Sequence, residues 1–283
     1  MRDMEKLTGQ PTADAEVPSA LGFRPLYLQV KERLTRRLAD GSLPPGVQLP
    51  TELELAAEYG VSQGTVRKAL DELAAQNLVV RRQGKGTFVA SHSPDRSLFQ
   101  FFPLIGNNGI RRLPSSRLLS CRYRRARSAE TRRLALAADA TVIHIRRVRS
   151  LNTKPALAEE IVVPAVLFPD LGLPPGSDLP NTLYDLYERI YGISIASVVE
   201  RVSAVAASAS EASLLSLAPG AALLQIDRIA YTVDGKPVEW RVSRCDTSQC
   251  HYQSLPANGL AGGPNTLHPV KADRGLGSES PSM

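Results

Sequence analysis

Residues 62–68 have the types and spacing expected of a segment that binds a polyanion. They read SQGTVRK, a possible helix cap followed by small and polar residues and then by two cations. A first helical turn ordinarily favours Asp or Glu, because the helix dipole leaves partial positive charge there. This turn has no acidic residue, so it favours approach to phosphates and base edges, with Arg67 placed for a bidentate contact to guanine. The candidate DNA-contacting residues here are Ser62, Gln63, Gly64, Thr65, Arg67 and Lys68.

A second group of residues suited to anion chemistry is the arginine-rich stretch 110–150. It carries twelve arginines against Glu130 and Asp139. Guanidinium groups form paired hydrogen bonds with carboxylates and phosphates, so the stretch is consistent with an anion-binding site. It is equally consistent with a solvated basic face. In a strand, side chains alternate, so Arg147 and Arg149 share one face while Arg146 lies on the other.

Three helices and a hairpin are predicted to position the first group. Helical spacing predicts a helix that ends at Asp40-Gly41 and a second one over TELELAAEYG, with Thr51 and Glu54 as a capping box. Ser62 begins the third helix. The side chains expected to be buried in the last two helices are Leu53, Leu55, Ala56, Tyr59, Val66, Ala69, Leu70 and Leu73.

The run LVVRRQGKGTFVA predicts two short strands around a glycine-rich turn. Three helices followed by such a hairpin indicate a winged helix-turn-helix, whose third helix enters the major groove of double-stranded DNA. The basic hairpin tip would reach the minor groove or the phosphate backbone. Its candidate contact residues are Arg81, Arg82, Gln83, Gly84 and Lys85.

From Ser116 onward the pattern changes to six strands, with helical patterns at SAETRRLALA, NTLYDLYERIYG and SEASLLSLA. Turns at 152–155 and 233–236 connect adjacent strands as hairpins. The fold class is therefore α+β, a winged helix followed by a domain on a mostly antiparallel sheet. The predicted boundaries are a disordered tail at 1–22, a DNA-binding domain at 23–90, a linker at 91–115, an α+β domain at 116–252 and a disordered tail at 253–283.

The first domain resembles the DNA-binding domain of the GntR family of bacterial transcription regulators. The resemblance rests on PLY at 25–27, PPGVQLPTE at 44–52, VSQGTVRKAL at 61–70 and QGKGTFV at 83–89. It implies that Thr51 also belongs to the DNA-contacting set. The sequence departs from the family at two positions: many relatives carry a DNA-contacting arginine at the position of Gln63, and some carry one at that of Leu53.

The remainder resembles the effector-binding UTRA domain of the HutC-like branch, whose fold is similar to that of chorismate lyase. The matching features are Arg147, Glu159 with Pro164, FPDL at 168–171, LYDLYERIYGI and DGKPVEWRVSRCD. The resemblance implies that Arg147 and Glu159 line a pocket for a small anionic effector; a structural ion pair is the alternative. The full set of predicted effector-binding residues is Arg147, Arg149, Glu159, Arg228, Glu239 and Arg244.

Composition narrows the remaining choices. The 283 residues have a formal net charge of +6, which permits a nucleic-acid partner without requiring one. No apolar run approaches a membrane span, no secretory signal is evident, and three cysteines suit a reducing cytoplasm. A metal site at Cys245, Cys250 and His251 would need a further ligand, so no metal or cofactor is predicted.

Three classes of function remain to be compared. An enzyme would need a nucleophile and base in matching motifs, which the four histidines do not supply. An architectural DNA binder would not need the large second domain. The sequence therefore predicts a cytoplasmic, ligand-responsive repressor that binds operator DNA as a homodimer. The second domain is the predicted interface, with its sheet edges and the aromatic cluster near Phe101. Packing within the protein is the favoured interpretation of the linker's apolar cluster, and a partner site is the alternative; the cluster consists of Leu98, Phe99, Phe101, Phe102, Leu104 and Ile105.

Overall fold

A computed structural model of the chain describes residues 24–92, 101, 104–109, 114–151, 153–171 and 182–253. The described residues form two compact units, the first within 1–74 and 79–90 and the second within 75–78 and 91–283. The predicted disordered tails lie outside the described residues, except for Gln253. None of the helices in the described part of the chain is long and apolar enough to cross a membrane.

The first unit contains three helices and a hairpin, as the sequence predicted. The helices are α1 (Leu26–Ala39), α2 (Glu52–Tyr59) and α3 (Gln63–Ala75), and the hairpin strands are β1 (Val79–Arg82) and β2 (Gly86–Val89). Each helix contributes one apolar stripe to a shared core, which is how an amphipathic helix is stabilised. The core residues of the helices are Val30, Leu34, Leu55, Val66, Ala69, Leu70 and Leu73.

The termini of α2 and α3 follow the local signals in the sequence. Thr51 and Glu54 form the predicted capping box at the start of α2, and Gly60 ends that helix in the left-handed region at φ 65°. The prediction that Leu53 is buried was wrong, since 66% of it is exposed. Residues two positions apart in a helix differ by about 200° around its axis, so Leu53 lies on the side opposite the buried Leu55.

The second unit is built on a six-stranded antiparallel sheet. Its strands are β4 (Ser115–Arg125), β5 (Thr141–Leu151), β6 (Lys154–Pro164), β7 (Ile195–Ala206), β8 (Ala222–Thr232) and β9 (Pro237–Cys245), in the order β4-β5-β6-β9-β8-β7. These are the six strands that the sequence predicted. A further pair, β3 (Leu104–Gly106) with β10 (Cys250–Tyr252), was not predicted. The stretch expected to be a linker therefore contains a strand.

Helices cover both faces of this sheet. Helix α5 (Leu183–Tyr191) and residues 165–171 pack on one face, which we call the α5 face, through a core that includes Tyr187 and Phe168. Helices α4 (Ser128–Arg133) and α6 (Ala209–Leu215) lie on the opposite face. Successive side chains of a strand point to opposite faces of the sheet. Residues an even number of positions apart in a regular strand therefore lie on the same face.

Phe101 belongs to the core of the α5 face. It is 6% exposed, and its ring meets that of Tyr184 edge-on at a centroid distance of 4.9 Å. This agrees with the interpretation that the linker's apolar cluster packs within the protein, and it leaves the Phe101 ring little surface for the predicted dimer interface. Leu104 and Ile105 are also buried, whereas Leu98, Phe99 and Phe102 lie outside the described residues.

Candidate functional site

The N-terminus of α3 presents the small and polar residues expected of a DNA-reading helix. The Ser62 side chain caps the helix, because its Oγ accepts a hydrogen bond from the Thr65 amide at 3.2 Å. A Cβ added at Gly64 would meet only Ser62 Oγ at 3.8 Å, which is ordinary contact. The protein's own packing therefore does not require glycine here. Close approach of DNA to this turn stays the prediction that would account for it.

Glu52, at the start of α2, organises the basic residues around this helix end. Its Oε2 accepts hydrogen bonds from Arg67 Nε at 3.0 Å and from Gln63 Nε2 at 3.2 Å. Its Oε1 accepts from Arg81 Nη1 at 3.1 Å. The hydrogen bond from Arg67, more than that from Arg81, lowers the pKa of Glu52 below its ordinary value, so the carboxylate stays charged. The sequence analysis missed Glu52.

Two further residues predicted to contact DNA, Thr51 and Lys68, also have partners inside the first unit. The capping box uses both polar groups of Thr51, since the amide and the hydroxyl donate to Glu54 Oε2 at 2.7 and 2.8 Å. Thr51 therefore has a structural role as the cap of α2, and its contact with DNA stays a prediction. The ammonium of Lys68 lies 4.0 Å from the centre of the Tyr27 ring, a cation–π arrangement.

The hairpin tip is smaller than predicted. Arg81 does not belong to it, because Asp71 Oδ1 accepts a hydrogen bond from its Nη2 at 2.7 Å and Glu52 holds its other nitrogen. Arg82 lies over the Phe88 ring at 4.7 Å. The exposed turn consists of residues 83–85, where Gly84 adopts φ 69° and Lys85 projects from the tip. Lys85 is an exposed cation within this turn.

On the α5 face of the second unit, four arginines are buried together. They are joined by two buried glutamates, Glu159 and Glu239, and by the half-buried Glu200. The four arginines are Arg147, Arg149, Arg228 and Arg241, with exposed fractions of 1%, 3%, 6% and 6%. This group, which we call the arginine cluster, contains one more positive charge than negative.

Arg147 and Glu159 lie directly opposite each other on β5 and β6. Arg147 Nε donates to Glu159 Oε2 at 2.5 Å, and Ser243 donates to Glu159 Oε1 at 2.9 Å. Burial disfavours the charge of Glu159, but the nearby guanidinium groups outweigh it and hold its pKa well below the ordinary value. Among the residues that the structure describes, none accepts a hydrogen bond from Nη1 or Nη2 of Arg147.

Arg149 experiences the unbalanced charge most strongly. Its Nη1 lies 3.9 Å from Glu159 Oε1, beyond hydrogen-bond distance. Burial, and then repulsion from Arg147, lowers the pKa of Arg149 to about 9. An anion bound beside it would offset both effects, because an opposite charge within a few ångströms favours the charged form.

Arg228 and Arg241 lie directly opposite each other on β8 and β9, an arrangement of like charges that destabilises a sheet. Each is neutralised by its own carboxylate. Arg228 donates to Glu200 at 2.6 Å, and Arg241 donates to Glu239 at 2.8 and 3.0 Å. Burial acts against the charge of Arg241, but Glu239 outweighs it and raises the pKa of Arg241.

The predicted effector-binding residues do not all meet. Arg147, Arg149, Glu159, Arg228 and Glu239 share the α5 face, but Arg244 lies on the opposite face, where its Nη1 contacts Glu211 at 3.0 Å. The assignment of Arg244 was therefore wrong. Residues 239 and 244 are five positions apart, and an odd separation places two strand residues on opposite faces. Counting in twos from Glu239 would have identified Arg241 and Ser243.

A small cavity adjoins the arginine cluster, with a volume of about 20 Å³. It has room for about one water molecule and not for a metabolite. Phe101 and Leu104 cover it, and the Phe101 carbonyl accepts a hydrogen bond from Arg228 Nη2 at 2.7 Å. The other residues around it are Arg149, Leu157, Glu159, Ile226, Arg241 and Ser243.

A groove of about 810 Å³ lies on the other side of Leu104, beside β3 and β10. Its described lining includes two charged residues, Lys154 and Asp246. This volume is typical of ligand sites, but the groove lacks convergent charges. The cavity beside the arginine cluster has the charges that an anionic ligand needs but not the volume. Leu104 lines both this cavity and the groove.

Side chains that could bind a metal ion are dispersed over the described part of the chain. Across the described ranges, no group of three or more His, Cys, Asp or Glu side chains is arranged to hold a metal ion. Cys121, Cys245 and Cys250 are free thiols, and Cys250 donates to the Asp246 carbonyl at 3.3 Å.

Two protein-family models match the chain. Residues 26–89 match the family described as bacterial regulatory proteins, gntR family, and residues 111–251 match the UTRA domain. Each match falls on one of the two groups of candidate residues, the first on the α3 and hairpin residues and the second on the arginine cluster.

Characterised relatives match over most of their length. The mannosyl-D-glycerate transport/metabolism system repressor MngR of Escherichia coli is 30% identical over 82% of this chain and 96% of its own. The HTH-type transcriptional repressor NagR of Bacillus subtilis is 30% identical over 76% of this chain and 88% of its own. The ligand-binding domain of a proposed GntR-family regulator from Bordetella bronchiseptica superposes with a TM-score of 0.50 and 34% identity, over 56% of this chain and 98% of that one.

Gly64→Ala tests whether the glycine serves an approaching molecule or the fold. Alanine is a better helix former than glycine by roughly 1 kcal/mol, and its methyl group has room here. We expect the variant to raise the free energy of unfolding, measured by urea denaturation, while weakening operator binding in a mobility-shift titration. Unchanged operator affinity would show that nothing approaches the helix closely at this residue.

Glu52→Gln tests whether the carboxylate orients Arg67 for base reading. Loss of a negative charge beside the DNA-facing cations should strengthen binding to non-operator DNA. Loss of the ion pair should weaken discrimination, because Arg67 is no longer held. We therefore expect a smaller ratio of operator to non-operator affinity at fixed salt. The matched control is Glu58→Gln, at the other end of α2, which pairs with Arg37 and should leave the ratio unchanged.

Proposed function

The chain belongs to the GntR family of bacterial regulatory proteins and carries a UTRA domain, and from that premise we propose that it is a repressor released from operator DNA by a small anionic metabolite. Membership of this family makes it a DNA-binding transcription regulator and not an enzyme. Winged-helix residues 62–67 and the tip at Lys85 would bind the operator. The arginine cluster would bind the metabolite.

The observation that carries the proposal is the uncompensated positive charge of the arginine cluster. Burying an unpaired charge is costly, and a guanidinium with two nitrogens left unbonded is especially so. Arg147 is 1% exposed and has two such nitrogens among the described residues. A carboxylate or phosphate oxygen would satisfy them in the forked geometry that guanidinium groups favour. The Escherichia coli relative is named for mannosyl-D-glycerate, which contains a carboxylate.

Binding must be accompanied by movement of the residues that cover the cluster. The cavity of about 20 Å³ excludes a metabolite, whereas withdrawal of Leu104 would join it to the groove of about 810 Å³. The ligand's anionic group would then replace the Phe101 carbonyl on Arg228. A ligand can regulate only if it binds two states unequally, and the covered and uncovered forms of this cavity supply two such states.

We further propose that the regulator acts in the cytoplasm as a homodimer. One recognition helix covers a few base pairs, whereas two helices related by a two-fold axis read half-sites about one helical turn apart. Operator binding would then require two chains, and the second units are the parts available to join them.

Arg67→Ala and Lys85→Ala test the assignment of the winged helix. Loss of a bidentate base contact at Arg67 should cost about 1–3 kcal/mol and relax the preference at one base pair. Loss of a phosphate contact at Lys85 should weaken binding to all sequences and reduce the salt slope by about one. Mobility-shift titrations at several salt concentrations measure both effects. Arg122→Ala, at an exposed position of the second unit, is the control, and equal binding by all three variants would contradict the assignment.

Arg147→Lys tests the effector site, with Arg146→Lys as its matched control on the opposite face of the same strand. Lysine keeps the positive charge that Glu159 requires, but it loses the planar guanidinium that can donate two parallel hydrogen bonds to one anion. Alanine is a less suitable substitution for Arg147, because it would leave Glu159 buried and unpaired at a cost of about 3–5 kcal/mol.

A thermal-shift screen of carboxylated and phosphorylated metabolites identifies a ligand first, because a ligand that binds the folded state raises its melting temperature.

With that ligand, operator affinity of the wild type should change about 5- to 150-fold, the usual range of allosteric coupling. Arg147→Lys should lose most of this response and Arg146→Lys should keep it, while both bind operator normally without ligand. A full response by Arg147→Lys would show that Arg147 belongs to a structural ion pair.

A further inference from the structure

Residues 46–49, between α1 and α2, form a third segment beside the β1–β2 hairpin. The Leu49 amide donates a hydrogen bond to the Thr87 carbonyl at 2.8 Å, and Gln48 forms an antiparallel bridge with Phe88. A two-stranded hairpin alone is only marginally stable in water. The third segment therefore supports strand β2 on the side that β1 does not cover.

The Gln48 side chain reaches the turn of this hairpin. Its Nε2 donates a hydrogen bond to the Lys85 carbonyl at 3.0 Å, while the Lys85 amide donates to the Arg82 carbonyl at 2.9 Å. Both polar groups of the Lys85 backbone are therefore hydrogen-bonded. The bond to Arg82 closes the turn within the hairpin, and the bond from Gln48 connects the turn to a residue 37 positions earlier.

The backbone at Gly86 lies close against the Gln48 amide. A Cβ added at Gly86 would be 2.7 Å from Gln48 Nε2, and the φ of 105° is one that residues with a side chain rarely adopt. Gln48, Lys85 and Gly86 are all exposed. Water can replace an exposed hydrogen bond, so this one contributes little net stability and acts mainly on the conformation of the turn.

We infer that Gln48 is a positioning residue for operator binding, which holds the hairpin turn in the conformation from which Lys85 meets a DNA phosphate. This inference rests on the proposed function, in which Lys85 contacts the operator. A turn that is ordered before binding loses less conformational entropy on binding, so the same contact gives a higher affinity. Gln48 acts through Lys85 and adds no DNA contact of its own.

Trypsin cleavage tests the conformation of the turn without DNA. Trypsin cuts after lysine, and the carbonyl that it attacks at Lys85 is the one bonded to Gln48. A folded segment must open locally before it is cut, so the rate follows the population of the open form. Gln48→Met keeps a side chain of similar length but removes the donor. Cleavage after Lys85, identified by mass spectrometry, should become several-fold faster in this variant.

Gln29→Met is the matched control for the cleavage experiment. It removes a similar hydrogen bond, from Gln29 Nε2 to the Arg24 carbonyl at 2.9 Å, at the start of α1. This variant should be cut after Lys85 at the wild-type rate, and both variants should keep the wild-type midpoint in urea denaturation. A Gln48→Met protein that is cut no faster than the wild type would overturn the inference.

A double-mutant cycle tests the consequence for DNA binding. Gln48→Met should weaken operator binding about two- to tenfold, the usual cost of ordering one mobile side chain on binding. In a Lys85→Ala background the same substitution should have no further effect, because the contact that Gln48 positions is already absent. Mobility-shift titrations of the four proteins measure the cycle. No loss in the wild-type background, or equal losses in both backgrounds, would overturn the inference.

The two experiments separate this inference from the proposed function. Faster cleavage of Gln48→Met in a protein that binds no operator would refute the repressor proposal and keep the contact between Gln48 and the turn. Conversely, operator binding by the wild type together with additive losses in the cycle would keep the repressor proposal and overturn the positioning role of Gln48.

Discussion

The burial of four guanidinium groups on one face of the central sheet is the constraint on which the second unit depends. Each group must find an anion, because the interior screens charge poorly. Glu239 and Glu200 pair with Arg241 and Arg228, and Glu159 pairs with Arg147 but leaves two nitrogens of Arg147 without an acceptor among the described residues. Under the proposed function, the anionic group of a ligand would meet these two nitrogens. The same groups thus support the fold and define the ligand class that the proposal assigns to them.

Under the proposed function, the residues beside this cluster would link ligand binding to conformation. Phe101 fills an aromatic site against Tyr184 and offers its carbonyl to Arg228, so the covered form is stabilised by packing and by a charged hydrogen bond. Leu104 lines both the small cavity beside the arginines and the larger groove. A ligand that displaces both residues must replace these contacts, and the difference between the two sets of contacts is the free energy available for regulation.

The first unit uses charge differently. Its basic residues lie at the surface, where Glu52 holds Arg67, Gln63 and Arg81 in one hydrogen-bonded group. The arginines of this network are partly exposed, so their ion pairs contribute little to stability. Leu53, next to Glu52 in the sequence, is exposed. Under the proposed function, the network would orient Arg67 toward the operator.

The sequence by itself determined the elements, because their signals are local. Helical spacing, the Thr51–Glu54 capping box, the glycine-rich hairpin and the alternation in six strands depend on residues within a few positions of one another. Tertiary structure decided which charged residues meet. Glu159 and Ser243 are paired across strands far apart in the chain, Phe101 reaches Arg228 from outside the predicted domain, and Glu52 reaches Arg81 across the first unit. The prediction for Arg244 failed because residues an odd number of positions apart in a strand lie on opposite faces, which separates Arg244 from Glu239. The prediction for Leu53 failed because a short helix buries only the side that neighbouring elements cover.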